Sequence, residues 1–433
     1  MDYEKAKNKI ESLNRFGSVL GLDNIYELLR RLDNPQDKVR VVHVAGTNGK
    51  GSTIAYISGI LKEAGYRVGK YISPVVFEYL EKYQIDNVNI SKQAFAALVS
   101  RTMEAVEAMV AEGRGQPTIF EVETAMAYLY FYEQKCDVAI IETGMGGDMD
   151  ATNVCSRVLA SIIVSVSLDH TEFLGDSLKE IAGHKAGIIK RGCPVILYGQ
   201  SEEVTEVVRA QAESLGAPLI IAKGLEEYLV PFAYETANGE HYEKLVPALK
   251  GVHQINNLCT ALEAIEQLKG QGYSIPKAAV MAGIANTYWH GRFEKLGSNP
   301  LFIIDGAHNP DAVEKLRATI LHEYPHTKWI FIMGVLADKD FAAETELLRG
   351  MAKAVITVTP GNSRALAAEE LAGVVRASRV AENVSVASNV EEAVLRALAL
   401  SESLEGDKGI LAFGSLSYLG ELKKCYNKYK FEA

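Results

Sequence analysis

HVAGTNGKGST, residues 43–53, joins an apolar run at 39–45 to a helical pattern that continues to about residue 64. Strand, glycine turn and helix start in that order make a phosphate cradle. The glycines let backbone N–H groups close on phosphate oxygens, and the helix N-terminus adds the positive end of its dipole. Gly46, Thr47, Asn48, Gly49, Lys50, Gly51 and Ser52 form the cradle. Lys50 is placed to reach the β- and γ-phosphates, and Ser52 or Thr53 to meet a magnesium ion. The stretch departs from G-x-x-x-x-G-K-[ST] at two positions. Val44 stands where the first glycine belongs, and Gly51 takes the hydroxyl position, moving the hydroxyl to Ser52. A bare strand-to-helix connection is the alternative, and the lysine followed by two hydroxyls weighs against it.

At 433 residues the chain is too long for one ordinary domain. Its formal net charge of −10 argues against nucleic acid or an anionic membrane as partner, since both need a basic face. The five cysteines, 136, 155, 193, 259 and 425, are scattered and lack a C-x-x-C pair, as in a reducing cytosol. MDYEKAKNKIESL at the N-terminus has no signal-peptide core, and no apolar run approaches the ~20 residues of a membrane span. The protein is expected in the cytoplasm, acting as a monomer on small molecules.

Val- and Ile-rich runs at 39–45, 68–72, 138–142, 160–166, 194–197, 301–305, 329–333, 354–358 and 410–413 are apolar on both faces, as buried parallel strands are. Helical patterns at 51–64, 92–112, 119–135, 257–269, 311–323 and 391–402 alternate with them. The fold class is therefore α/β and doubly wound. The Gly-, Ser- and Pro-containing stretch 296–300 reads as a linker between an ATP-binding domain, 1–295, and a smaller α/β domain, 301–433.

Parallel sheets bind ligands beyond the carboxyl ends of their strands. Glu142 ends one strand beside a glycine-rich turn, which suits a magnesium ion at a triphosphate. His170 follows the strand 160–166, Ser73 follows 68–72, and Lys185 lies in an otherwise apolar stretch. In the second domain Asp305 and His308 follow the strand 301–305. The residues alone thus give a magnesium-nucleotide enzyme of two domains.

GTNGKGS at 46–52, Ser73-Pro74, Phe120-Glu121, Glu142-x-Gly-x-Gly-Gly, Asp150-x-Thr-Asn153 and Asp169-His170-Thr occur in that order. Lys185-Ala-Gly-Ile, His253-Gln254-x-Asn256-Asn257, Gly291-Arg292-Phe-Glu, Asp305-Gly-Ala-His-Asn-Pro310 and Gly414-Ser415-Leu416 complete the series. Together they resemble the folylpolyglutamate synthase/dihydrofolate synthase family of the Mur ligase superfamily, over nearly the whole chain. The resemblance implies a P-loop domain, a Rossmann-like C-terminal glutamate-ligase domain, and ATP-dependent joining of L-glutamate to a reduced folate through an acyl phosphate. It implies that Ser52 and Glu142 hold the ATP-bound magnesium, and that Ser73, Glu142 and His170 serve a second metal. Lys185 matches a lysine that is carbamylated in much of the superfamily. Gln254 and Asn257 match adenine-side contacts, Arg292 a phosphate ligand, and Asp305 and His308 nucleotide contacts. Asp150 and Ser415 match positions on the substrate side.

Three departures fall where the acceptor is expected. Val75-Val76 replaces His-Leu, Lys82 replaces an arginine, and Asp148 replaces the arginine of Gly-Gly-Arg-Leu-Asp. Whether dihydropteroate is a second acceptor stays open on these residues. A Mur-type ligase with another acceptor and a P-loop kinase or NTPase are the competing readings. Gly51 counts against the first, and the 305–310 turn against the second.

Overall fold

The computed structural model describes residues 1–13, 21–225 and 229–429. Two compact units divide the chain. One comprises Met1–Pro74, Tyr79–Ala248 and Gln254–Tyr288, the other Val75–Glu78, Leu249–His253 and Trp289–Ala433.

The first unit is built on eight strands: β1 Val41–Ala45, β2 Val68–Tyr71, β3 Tyr83–Ile85, β4 Val88–Asn89, β5 Val138–Glu142, β6 Val158–Ile163, β7 Val195–Tyr198 and β8 Leu219–Ala222. Their order is β4-β3-β2-β5-β1-β6-β7-β8. β2, β5, β1, β6, β7 and β8 pair in parallel, with β3 and β4 added antiparallel at one edge. β1 and β5 are buried along their whole length, which is why both read as unbroken apolar runs. The helix Lys50–Glu63 leaves β1 directly. The helix Ile119–Glu133 opens with a capping box: Thr118 Oγ1 accepts from Glu121 N–H at 3.3 Å and the Glu121 carboxylate accepts from Thr118 N–H at 2.8 Å. Glu121 of the Phe120-Glu121 motif is thus used as a cap. A separate hairpin pairs β9 Phe232–Glu235 with β10 His241–Leu245, whose alternating pattern is too short and too charged to stand out in the sequence.

The second unit holds β11 Glu294–Ser298, β12 Leu301–Ile304, β13 Lys328–Met333, β14 Ala352–Thr357, β15 Asn383–Val386 and β16 Lys408–Phe413 in the order β11-β12-β16-β13-β14-β15. All pair in parallel except the edge strand β11. Residues 296–300, expected as a linker, lie in the β11–β12 hairpin, where Ser298 faces Leu301. Gly, Ser, Asn and Pro there mark a tight turn within this unit, and the unit takes in the chain from Trp289. Among the described residues no helix is long and apolar enough to cross a membrane.

Candidate active site

The loop after β1 is stitched to the segment after β6. Thr47 N–H donates to Ser165 O at 2.7 Å, and the Thr47 hydroxyl donates to Ser167 O at 3.0 Å. Thr47 Oγ1 also accepts from Ser167 N–H at 3.1 Å, and Asn48 Nδ2 donates to Ser167 Oγ at 3.3 Å. Gly49 caps the following helix with φ +95°, and a Cβ built there would stand 2.5 Å from Asn257 Oδ1. Asn257 Nδ2 in turn donates to Gln254 Oε1 at 3.1 Å, so both buried amides brace the underside of the loop. Gly49→Ala therefore meets strain and a clash together. We expect KM for ATP to rise about tenfold, the factor that ~1.4 kcal/mol of left-handed strain gives. An unchanged KM in steady-state assays would contradict this.

Lys50 begins the helix Lys50–Glu63 and arches back over the loop, its Nζ donating to Gly46 O at 3.1 Å and Thr47 O at 3.2 Å. The same Nζ is 3.8 Å from Glu142 Oε1, beyond hydrogen-bond range. Glu142 ends β5, is nearly buried, and its Oε2 accepts from Ser73 N–H at 3.1 Å. Ser52, in the first turn of the helix, is buried as well. The structure thus brings Lys50, Glu142 and the Ser73 backbone together beside the loop, with Ser52 in the helix that follows it. The available donors there are hydroxyl and carboxylate oxygens, the set magnesium takes, so the residues fit the ion.

Asp150, expected on the substrate side, turns inward. Its carboxylate accepts from Gly144 N–H at 2.9 Å, Met145 N–H at 2.8 Å and Thr152 N–H at 3.0 Å, and from the Thr152 hydroxyl. Burial pushes its carboxyl up, against these hydrogen bonds. Asp150 shapes the loop after β5. Thr152 Oγ1 also lies 2.8 Å from Nε2 of the buried His43, whose Nδ1 has no partner. His43 and Thr152 thus extend this loop brace into β1.

Lys185 lies in the last turn of the helix Leu178–Ala186 and is 4% exposed. Burial first, and then the charge of Lys50, pulls its amine down to about 7, while Asp169 and Asp150 pull the other way. Much of it is therefore neutral near pH 7. The neutral amine is the form that adds carbon dioxide, so this lysine fits carbamylation. His170 is exposed, adopts φ +53° and caps the short helix Thr171–Leu174. Among the described residues no three His, Cys, Asp or Glu side chains group to hold a metal. A second ion on Ser73, Glu142 and His170 would draw on a hydroxyl and two such groups.

In the second unit Asp305 follows β12. It accepts from Phe293 N–H and Ala307 N–H, each at 2.8 Å, and burial pushes its carboxyl up against the charge of Arg292. A Cβ on Gly306 would stand 2.3 Å from Leu416 Cδ2 and 2.6 Å from an Arg292 guanidinium nitrogen, so a side chain there would displace both. His308 Nδ1 donates to Gly306 O at 2.7 Å. Ser415 caps the turn after β16, its Oγ accepting from Ser417 N–H at 3.2 Å. The structure adds His253, Asp311 and Lys315 to this group. Lys315 Nζ bonds Asp311 at 2.7 Å, and burial followed by the charges of Lys315 and Arg292 takes His253 down to about 3. His253 belongs to a quoted motif. Asp311 and Lys315 sit four apart at a helix start, a spacing too common to single them out.

The chain matches the Mur ligase middle domain over residues 44–265 and the Mur ligase, glutamate ligase domain over 291–416. It is 35% identical to the dihydrofolate synthase/folylpolyglutamate synthase of Bacillus subtilis, across 98% of each chain. It belongs to the folylpolyglutamate synthase/dihydrofolate synthase family. The folylpolyglutamate synthase of Lacticaseibacillus casei is also 35% identical, over 84% of this chain and 87% of that one. The Mycobacterium tuberculosis folylpolyglutamate synthase, solved in complex with ADP, superposes with a TM-score of 0.89 at 29% identity, covering 98% of this chain and 99% of that chain. Within the family frame, the middle domain carries Lys50, Glu142, His170 and Lys185. The glutamate ligase domain carries Arg292, Asp305, His308 and Ser415.

Proposed function

We propose that the chain is an ATP-dependent amide ligase adding L-glutamate to a reduced folate, a folylpolyglutamate synthase. The observation that carries the proposal is the Lys50 loop with Glu142 and Ser73 beside it, in a chain so similar to enzymes of that name. A carboxylate is a poor electrophile. One of its oxygens attacks the γ-phosphorus of ATP, ADP leaves, and the resulting acyl phosphate is a good electrophile. The neutral amine of glutamate then attacks the acyl carbon, loses a proton, and phosphate departs.

Lys50 and the loop N–H groups hold the phosphates in line and oppose charge on the transferring group. Ser52 and Glu142 would hold magnesium, with Ser73, Glu142 and His170 at a second ion. Bound there, magnesium offsets charge on the phosphate oxygens. Arg292 is assigned a phosphate, its planar fork suiting one. Gln254, Asn257, Asp305 and His308 are assigned the nucleotide, and Ser415 the substrate side, while Asp150 holds the loop after β5. Lys185 is assigned a carbamate, which turns a buried cation site into an anionic one. The enzyme is proposed to act as a monomer in the cytoplasm.

The test is acceptor-dependent ADP release with magnesium-ATP and glutamate, products identified by mass. Tetrahydrofolate, 5,10-methylenetetrahydrofolate, dihydropteroate and a cell-wall precursor serve as acceptors. Glutamate added to folates is the expected result. Addition to dihydropteroate as well makes the enzyme bifunctional, and addition to the cell-wall precursor alone overturns the proposal.

A further inference from the structure

Whatever seats the last turn of the helix Leu178–Ala186 sets where Lys185 Nζ stands. That seat is the loop after β5. Asp148 N–H donates to His184 O at 2.9 Å, and Asn153 Nδ2 donates to Asp148 O at 3.0 Å and Gly187 O at 3.1 Å. The two backbones are in direct contact. A Cβ on Gly147 would lie 2.6 Å from His184 O and 2.9 Å from Lys185 O, and one on Gly187 would lie 2.4 Å from Asp148 Cβ. Over this contact a side-chain pair closes: His184 Nδ1 is 3.0 Å from both Asp148 carboxylate oxygens. The two side chains are 37% and 42% exposed. So screened a pair contributes little to folding, and its loss leaves the fold standing.

We propose that the Asp148–His184 pair is a clasp that positions Lys185 for its reaction with carbon dioxide. The inference rests on the carbamate assigned to Lys185 above. In that reaction the lysine nitrogen forms a bond to the carbon, one C=O electron pair moves onto oxygen, and the nitrogen loses a proton to water. Asp148 and His184 touch no reacting atom and act through the backbone they seat. With the clasp gone, the helix end loosens and water reaches Nζ. Hydration favours the ammonium, which has no lone pair for carbon dioxide.

The test uses the whole chain with ¹³C-bicarbonate at fixed pH, following the carbamate resonance as bicarbonate is raised. Asp148→Ala and His184→Ala are expected to need about fivefold more bicarbonate for half-occupancy, the factor ~1 kcal/mol gives. His184→Asn keeps an N–H donor at the Nδ1 position and is expected to titrate like the wild type. Thermal melts run alongside. If an alanine variant melts early, His184→Gln, which moves the donor, takes its place. Titration of the clasp variants at wild-type bicarbonate overturns the clasp and leaves the carbamate intact. No resonance in the wild type, or one that persists in Lys185→Arg, overturns the carbamate assignment itself.

Discussion

Lys50→Ala is expected to release ADP at least about 10²-fold more slowly with any acceptor, the loss seen when one preorganised charge-stabilising donor is removed. Two consequences combine. The ammonium that arches over Gly46 and Thr47 is lost from the phosphates. Lys50 also helps hold the Lys185 amine down, so its removal returns Lys185 towards the ammonium and lowers carbamate occupancy. The loop itself survives, since Thr47 remains tied to Ser165 and Ser167. A melting curve close to wild type with near-zero turnover is the expected pair of results. Excess bicarbonate restores the second loss and not the first, which separates them. Wild-type turnover would remove Lys50 from the phosphate site.

Lys185→Ala is expected to lose ligation by about 10²-fold, as removal of a group that orients a metal site does. Acetate or another short carboxylic acid is expected to restore part of it, because the truncated side chain leaves room for a carboxylate where the carbamate stood. Lys185→Arg fills that room and is expected to gain nothing from acetate. The wild type should show the matching pH dependence. The Lys185 amine is lowered to about 7 by burial and by Lys50. Below that pH it is increasingly protonated and cannot add carbon dioxide. At limiting bicarbonate, ligation therefore falls as pH drops through about 7, and added bicarbonate offsets the fall. An acid limb indifferent to bicarbonate would contradict the assignment.

The parts legible in sequence were those written locally. The all-apolar β1 followed by glycines and Lys50 announces its own strand, loop and helix, and Glu142 at the end of β5 is marked in the same way. The stretch 296–300 misled because Gly, Ser and Pro signal a turn without saying whether it joins domains or strands. Short edge strands such as β3 and β4 have too few residues for a period to register. Asp150 shows the limit at the site: a carboxylate in a glycine-rich motif reads as a ligand, yet this one is consumed by N–H groups of its own loop. Asp148 and His184 stand 36 residues apart, on a loop and a helix end, and no local pattern links them. Their pairing exists only once β5 and the helix Leu178–Ala186 have folded.

The central claim is that the acceptor's carboxylate is activated by phosphorylation. It is tested by supplying a folate whose reacting carboxylate carries ¹⁸O and analysing the phosphate released during ligation. One labelled oxygen transferred to phosphate in each turnover is the predicted result, since the acyl phosphate keeps that oxygen when the amide forms. Unlabelled phosphate alongside the same amide product would contradict the account.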